Sequence, residues 1–519
     1  MTALESGPGP SGRVPPSADP WRPVHHRPKR LAEVARALGC RIEGPIGAEA
    51  ADAVVTGTSQ DSRAVLPGDL YAALPGARVH GARFVPEALA RGAVAVLGDR
   101  AVPGAATLVV RDPRAVLGPL SSWVYDHPSQ SLDVYGVTGT NGKTSTTHLL
   151  EAGLAAAGRR PGIVGGVVTR GPQGTRPSRR TTPEADELHA SLASLRERGS
   201  RAAAVEVSSH GLVQHRVDGV RFAAAVFTNL GRDHLDFHGD LESYFAAKAA
   251  LFEPERCALA VVGTGDEHGR RLARSVRTPV VTFGCGAGPR ARADWWACDV
   301  AASAEGTAFR LRGPGVDVPV RMRLLGAHQV DNAVGAVAAL ASTGVDVDAA
   351  VAGIEGLGGV PGRLERVEAG QPFLALVDYA HNPAGQRRVL PYLRSLARGR
   401  LIVVLGATGG RDPGKRAPLG RTAGVHADTV VVTDESPHGE DPAALRDDVA
   451  AGARSAGRAE VLVEPDRERA IALAVSRARP GDVLVVAGRG ADQDLVAAGR
   501  TRRFDDRTAL HDALRRRAA

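Results

Sequence analysis

At 519 residues the chain is too long for a single hydrophobic core and predicts three domains. Its 43% apolar and 4% aromatic content fits an Ala/Val/Leu-rich soluble α/β protein, and neither a run of about 18 apolar residues nor a cleavable leader is present, so the cytoplasm is expected and a membrane partner is not. The net charge of +8 comes from arginines spread along the chain without aromatic company, which excludes an obvious nucleic-acid surface, and four scattered cysteines exclude a disulfide framework or a zinc site.

Residues 1–28 are rich in Pro, Gly and Ser without periodicity, which predicts a disordered tail. Over 29–132, a helix at Arg30–Leu38, a strand at Leu70–Leu74, a helix at Phe84–Arg91 and strands at Val94–Leu97 and Thr107–Val110 predict a small α/β domain. Over 133–361, strands at Val134–Val137, Ala203–Val207, Ala223–Thr228, Ala258–Val262 and Val280–Phe283 alternate with helices, the pattern of a mostly parallel sheet. A polar stretch and a helix at Asn332–Leu340 follow. Over 362–519, strands at Leu374–Asp378, Leu401–Leu405, Thr429–Thr433, Val461–Val463 and Val483–Val486 predict a Rossmann-like α/β domain, without the GxGxxG turn of an independent dinucleotide site.

The stretch Val134–Thr147, VYGVTGTNGKTSTT, runs from an apolar strand through a glycine turn into a helix opened by Lys143 and Thr144. Backbone N–H groups of Gly139, Thr140, Asn141, Gly142 and Ser145 and the helix N-terminus would face phosphates. Lys143 would reach the terminal ones and Thr144 would ligate Mg²⁺. ATP or GTP is the expected ligand, although Val137 replaces the first glycine of the usual form.

Composition narrows the search further. The chain has only four lysines (Lys29, Lys143, Lys248, Lys415) and four asparagines (Asn141, Asn229, Asn332, Asn382). Where arginine serves nearly every generic cationic role, a surviving lysine marks a need for a compact or deprotonatable amine; Lys29, in the polar HHRPKR tail, is the expected exception. Strand ends carry metal-type ligands in EVSSHGLVQHR (Glu206) and TNLGRDHLDFHG (Asn229, Asp233, His234, Asp236), and the helix LESYFAAKAALF holds Lys248 as its sole cation.

In order, GVTGTNGKT, TTPEADELH, EVSSHGLVQHR, TNLGRDHLDFHG, YFAAKAALF, GAHQVDN, GRLE and VDYAHNP resemble the Mur ligases, over about Ser59 to Val496. Within them the chain is most similar to the members that add the third amino acid of the peptidoglycan stem peptide to UDP-N-acetylmuramoyl-L-alanyl-D-glutamate. The resemblance implies a central P-loop ATPase domain, a C-terminal domain that takes the amino acid and closes on ATP, and a small N-terminal UDP-binding domain; a monomer is expected. ATP would phosphorylate the D-Glu carboxylate, and the amine would displace phosphate from the acyl phosphate. Lys143 would hold the phosphates, Thr144 with Glu206 one Mg²⁺, and Glu206, His234 and Lys248 a second, with Lys248 carbamylated by CO₂ into an anionic ligand. Asn332 would meet adenine, Asp378 the ribose, and Arg363 and His381 the phosphates. Thr181, Thr182, Ser208, Gln214 and Arg216 would contact the muramoyl dipeptide, and Ser62 the uracil side.

The acceptor positions depart from that likeness. Members that add meso-diaminopimelate carry Asp-Asn-Pro-Arg, where this chain has Glu435, Ser436, Pro437 and His438, and Gly-Lys-Gly-His-Glu becomes GRGAD, Gly488 to Asp492. Arg411 is kept, whereas Gly263, Gln329 and Ala384–Gly385 are further departures. The His438 imidazole cannot form the carboxylate fork of Arg, so an amine other than meso-diaminopimelate is expected. The alternatives are a related ligase of a dedicated pathway that uses another acid, and a silent nucleotide-binding regulator, which would have lost Lys143, Glu206, His234 or Lys248.

Overall fold

The computed structural model describes residues 19–44, 52–76, 79–285, 293–497 and 499–518. The described residues fall into two compact units: Met1–Gly136 with Gly158–Ala225 and Ala250–Leu259, and Val137–Ala157 with Val226–Ala249 and Ala260–Ala519. This division interleaves the segments expected from sequence, because strands Asp133–Thr138 and Ala224–Phe227 each contain a boundary.

In the first unit, strands Gly57–Ser59, Asp69–Ala72, Ala95–Gly98 and Thr107–Val109 lie in parallel order, with Ile42–Glu43 antiparallel at the edge. Helices Leu31–Leu38 and Pro113–Val124 cover one face through Leu31, Val34, Leu117, Leu120 and Val124, packed on Leu70, Leu97 and Leu108. Farther along, Gly162–Val164 runs parallel to Ala202–Glu206, and a hairpin, Val168–Gly171 with Gly174–Pro177, extends its edge.

The tail expectation fails where it can be examined. Residues 1–18 lie outside the described residues, but 19–30 pack down. Trp21 is buried under the Arg176 guanidinium, and Arg22 pairs with buried Asp69 while donating to Thr58 O (2.9 Å) and Tyr125 Oη (3.0 Å). Lys29, discounted as a tail residue, is buried against Asp126 at 2.6 Å. An apolar anchor and two desolvated cations with remote partners hold this segment.

In the second unit, Ala260–Gly263, Val280–Cys285 and Trp295–Ala302 are parallel, and Thr307–Gly313 and Val316–Met322 continue antiparallel. The expected polar stretch is therefore a strand meander whose alternate residues (Phe309, Leu311, Val320, Met322) are buried. Its last domain has strand order Glu365–Arg366, Leu374–Asp378, Val483–Ala487, Leu401–Leu405, Thr429–Val432, Glu460–Val463, parallel after the first pair. Helices cover both faces of this Rossmann-like sheet, Pro383–Leu396, Arg416–His426 and Pro442–Arg454 on one, Arg467–Arg477 and Asp506–Ala518 on the other. Among the described residues no helix is long and apolar enough to cross a membrane.

Candidate active site

The loop between strand Asp133–Thr138 and helix Lys143–Ala156 lies in the second unit. Gly139 and Gly142 have φ of 144° and 91°, and a Cβ there would meet Thr228 Oγ1 at 2.0 Å and Asn332 Oδ1 at 2.3 Å respectively. Asn141 N donates to Asn229 Oδ1 (3.1 Å), and Asn229 Nδ2 (3.0 Å) and Thr228 Oγ1 (2.6 Å) donate to Asn141 O. Thr140 Oγ1 accepts from Gly231 N (2.9 Å) and bonds to Tyr244 Oη (3.2 Å), while Ser145 is buried in the first helical turn. This is a cradle without side chains at the positive end of a long helix, which fits phosphate. Lys143 folds over it, its Nζ donating to Gly139 O (2.8 Å) and Thr140 O (2.9 Å).

Lys248 reaches the same carbonyl from helix Leu241–Ala249. It is 1% exposed, its Nζ donates to Gly139 O at 2.9 Å, and it lies 4.6 Å from the Tyr244 ring. Burial first, and then the Lys143 ammonium, push its amine well below the ordinary lysine range, against the pull of Asp233. A lysine held toward its neutral form can react with CO₂, which a guanidinium cannot.

Residues from the last domain approach this loop. Arg363 Nη2 donates to Thr144 Oγ1 (3.1 Å), and its guanidinium lies 4.2 Å over the Tyr379 ring. Asp378, expected at a ribose, accepts from Leu364 N and Ala380 N (both 2.8 Å), so here it pins the two loops that carry Arg363 and His381. Asn332 donates from Nδ2 to Gln329 Oε1 (2.8 Å) beside Gly142. Asp233 stands 3.8 Å from His234 Nε2 and 3.9 Å from His381 Nε2. Burial alone would raise its carboxyl, but His381, His234 and Lys415 outweigh that and hold it below the usual range.

Glu206 belongs to the first unit, at the end of strand Ala202–Glu206, and accepts from Gly166 N (2.8 Å). A Cβ on Gly165 would sit 2.5 Å from its Oε1. Thr182 Oγ1 donates to Glu206 O (2.8 Å) and meets Ser208 Oγ (3.1 Å), and Arg216 donates to Thr182 O (3.0 Å) and Gln214 Oε1 (2.5 Å). Thr181 borders Gly166. Ser62, 7% exposed, donates to Glu87 Oε2 (2.8 Å) on the small domain. Among the described residues no group of three or more His, Cys, Asp and Glu could hold a metal. The expected donor set mixes a hydroxyl, a carboxylate, an imidazole and a modified lysine and is not of that kind.

Of the residues expected at the amine acceptor, Glu435, Gly488 and Asp492 come together in the last domain. Glu435 is 5% exposed, accepts from Thr408 Oγ1, and its buried Oε2 has no hydrogen-bond partner. A Cβ on Gly488 (φ 112°) would lie 2.5 Å from that oxygen. Burial pushes the Asp492 carboxyl up to about 6, Glu435 adding to the rise and Arg489 opposing it. His438 has φ of 53° and bonds through its backbone N to Val496 O (3.2 Å), and Arg411 lies 3.9 Å from Asp236. Sequence reasoning missed what stands behind these loops. Arg467 forms a fully buried two-point pair with Asp506 (2.7 Å each) and donates to Ala487 O (3.1 Å) and Asp434 O (3.5 Å), which joins the loops of Gly488 and Glu435. Arg489 adds a contact to Ser436 Oγ (3.4 Å). The only signal was an arginine opening a helical segment far from either loop.

Three families match in chain order: Mur ligase family, catalytic domain, over residues 54–118; Mur ligase middle domain over 137–340; and Mur ligase, glutamate ligase domain, over 362–490. A UDP-N-acetylmuramoyl-L-alanyl-D-glutamate–2,6-diaminopimelate ligase of Streptomyces avermitilis is 47% identical over 505 residues, which is 95% of this chain and 98% of that one. The chain belongs to the Mur ligase family. Mur ligases are ATP-dependent, ADP-forming acid–amino-acid ligases, and this chain is one. A UDP-N-acetylmuramyl-tripeptide synthetase of Leifsonia xyli is 41% identical over 515 residues, 96% of this chain and 99% of that one. Among solved Mur ligases, a UDP-N-acetylmuramoyl-L-alanyl-D-glutamate–2,6-diaminopimelate ligase superposes with TM-score 0.65 at 29% identity, covering 95% of this chain and all of the other. The Thermotoga maritima MurF ligase in complex with ADP shares the fold, with TM-score 0.65 at 21% identity over 89% of this chain and 97% of that one.

Proposed function

We propose that this ligase joins an amino acid to the D-Glu side-chain carboxylate of UDP-N-acetylmuramoyl-L-alanyl-D-glutamate through an acyl phosphate. The observation that carries this reading is the convergence of Lys143 and Lys248 on Gly139 O, one folded over the nucleotide loop and one buried with a weakened proton affinity. The Thr182–Ser208–Arg216 web and the likeness along nearly the whole chain support the muramoyl dipeptide over another acid. In this reading residues 29–132 take the UDP end, 133–361 the ATP, and 362–519 the amino acid.

The glycine cradle positions ATP, Lys143 neutralises the charge that develops on its terminal phosphate, and Arg363 approaches from the last domain. Thr144, Glu206, His234 and carbamylated Lys248 are the residues that would hold Mg²⁺, which when bound neutralises phosphate charge and orients the reacting oxygens. The acid's carboxylate attacks the terminal phosphate, ADP departs, and the amine then attacks the acyl carbon and releases phosphate.

The acceptor we favour lacks the distal carboxylate of meso-diaminopimelate. His438 offers no bidentate fork, and Glu435 with Asp492 would repel a carboxylate and receive an ammonium. Loss of one guanidinium–carboxylate fork costs about 1.5–3 kcal/mol of discrimination, enough to reorder acceptors. Phosphate release with UDP-N-acetylmuramoyl-L-alanyl-D-glutamate and a panel of amino acids tests both parts. We expect the highest kcat/KM with a basic amino acid. A preference for meso-diaminopimelate overturns the acceptor assignment, and absence of turnover with every amine overturns the acid.

A further inference from the structure

In the last domain a pair of short strands is clipped onto the loop that carries Glu435, and one buried side chain joins the two. Strands Asp494–Ala497 and Arg500–Arg503 pair antiparallel, and Arg503 Nη2 donates to Gln493 Oε1 (2.6 Å) at their base. The first strand lies along residues 436–438. Val496 N donates to Ser436 Oγ (3.2 Å), His438 N donates to Val496 O (3.2 Å), and His438 bridges Ala497 in parallel.

Arg489, 2% exposed, holds this arrangement together. Its Nη2 is shared among Asp492 O (3.1 Å), Asp494 O (3.2 Å) and Phe504 O (3.1 Å), which gathers both ends of the strand pair, while Nη1 lies 3.4 Å from Ser436 Oγ. Asp492 N donates back to Arg489 O (3.0 Å), so both backbone groups of Asp492 end on this one residue. One nitrogen of the fork thus serves the strand pair and the other serves the neighbour of Glu435, a span that suits a planar guanidinium better than a single ammonium. The charge of Glu435 adds to the rise of the Asp492 carboxyl, which puts the two acids within electrostatic reach of each other.

We infer that Arg489 is a positioning residue for the amine step, a clasp that fixes the strand pair on residues 436–438 and so sets Glu435 and Asp492 to receive one ammonium. This rests on the acceptor reading proposed above. Arg489 acts through Ser436 and the Asp492 backbone, and leaves the contacts with the amine to the two carboxylates.

The test compares R489M, R489K and S436A with the intact chain in two measurements. One is phosphate release with UDP-N-acetylmuramoyl-L-alanyl-D-glutamate and each of L-lysine, L-ornithine and meso-diaminopimelate. The other is hydrogen exchange of the peptides that hold the Val496 and His438 amides, without substrate. For the amine that the intact chain uses best, R489M should lower kcat/KM roughly 10–100-fold, mostly through KM, as expected of a site displaced by about 1 Å. KM for ATP should hold, and both amides should exchange faster. S436A should act in the same direction but less, R489K should fall between R489M and the intact chain, and S436A/R489M should fall short of the product of the single effects. An unchanged amine KM in R489M, a matching rise in KM for ATP, or single effects that simply multiply overturns the assignment. An intact chain that turns over none of the three amines overturns the acceptor reading instead, and the exchange measurement, which needs no substrate, tells the two failures apart.

Discussion

The Arg467–Asp506 pair allows a stringent test of how the loops of Glu435 and Gly488 are held. Both side chains are 0% exposed, and the two contacts of 2.7 Å leave the carboxylate fully engaged. Asp506→Ala strands the Arg467 guanidinium in the interior and removes the nearest charge partner of Arg489, 3.8 Å away. Breaking one side of such a pair costs about 3–5 kcal/mol, because the survivor remains charged and desolvated, whereas replacing both with apolar residues is often close to neutral. Arg467→Met should be similarly costly and should also release Ala487 O and Asp434 O. The R467M/D506L double variant should then be more stable than the sum of the single losses by roughly 2 kcal/mol or more. Urea unfolding followed by circular dichroism gives the cycle, and the KM for the amino acid, measured on the variants that remain folded, should rise while nucleotide affinity holds. Additive losses would refute the claim that the two side chains act as one desolvated unit.

Lys248→Ala should abolish turnover, acetate should partly restore it, and depletion of CO₂ should lower wild-type activity; full activity in the unrescued variant rules out the carbamate. Gly142→Ala places a methyl 2.3 Å from Asn332 Oδ1 at φ of 91°, so nucleotide affinity should drop at least several-fold at a strain of about 1–3 kcal/mol. Unchanged ATP titration of that variant would show that the cradle is not where it binds. Asp186, pushed up from 3.8 to about 6 mainly by burial, holds its proton more tightly folded than unfolded, so its contribution to stability declines as pH rises between those values and is level above them. Asp186→Asn, which keeps an acceptor for Gln60 N, should therefore match wild type near pH 4 and exceed it by roughly 2–3 kcal/mol above pH 6 in thermal melts. A difference independent of pH would contradict this.

Residues that act through local chemistry were legible in the sequence. The strand, glycine turn and Lys-Thr of the nucleotide loop lie within fourteen consecutive residues, Val134–Thr147, and fold as the strand, turn and helix start that local chemistry dictates. Strand Leu374–Asp378, apolar up to its last residue, and strand Leu401–Leu405, apolar throughout, fold as read. The meander at Trp295–Met322 was not read, because arginines and two aspartates on its outer face broke the apolar pattern that only alternate residues keep. Nor was the packing of residues 19–30, whose order depends on Asp69, Asp126 and Arg176, partners dozens of residues away that no local period announces. Lys248 was found by composition, through its survival where arginine is the rule. Arg467 and Arg489 were hidden by the same abundance.

Scarcity of lysine has a practical consequence. Lys29 and Lys248 are 6% and 1% exposed, whereas Lys143 and Lys415 are partly open to solvent, the first folded over the nucleotide loop and the second within electrostatic reach of Asp233 and His381. Acylating or reductively alkylating reagents thus find their side-chain targets almost wholly at the nucleotide loop and the neighbourhood of Asp233. Peptide mapping of such labels would read nucleotide occupancy directly on the unaltered protein, with no engineered probe.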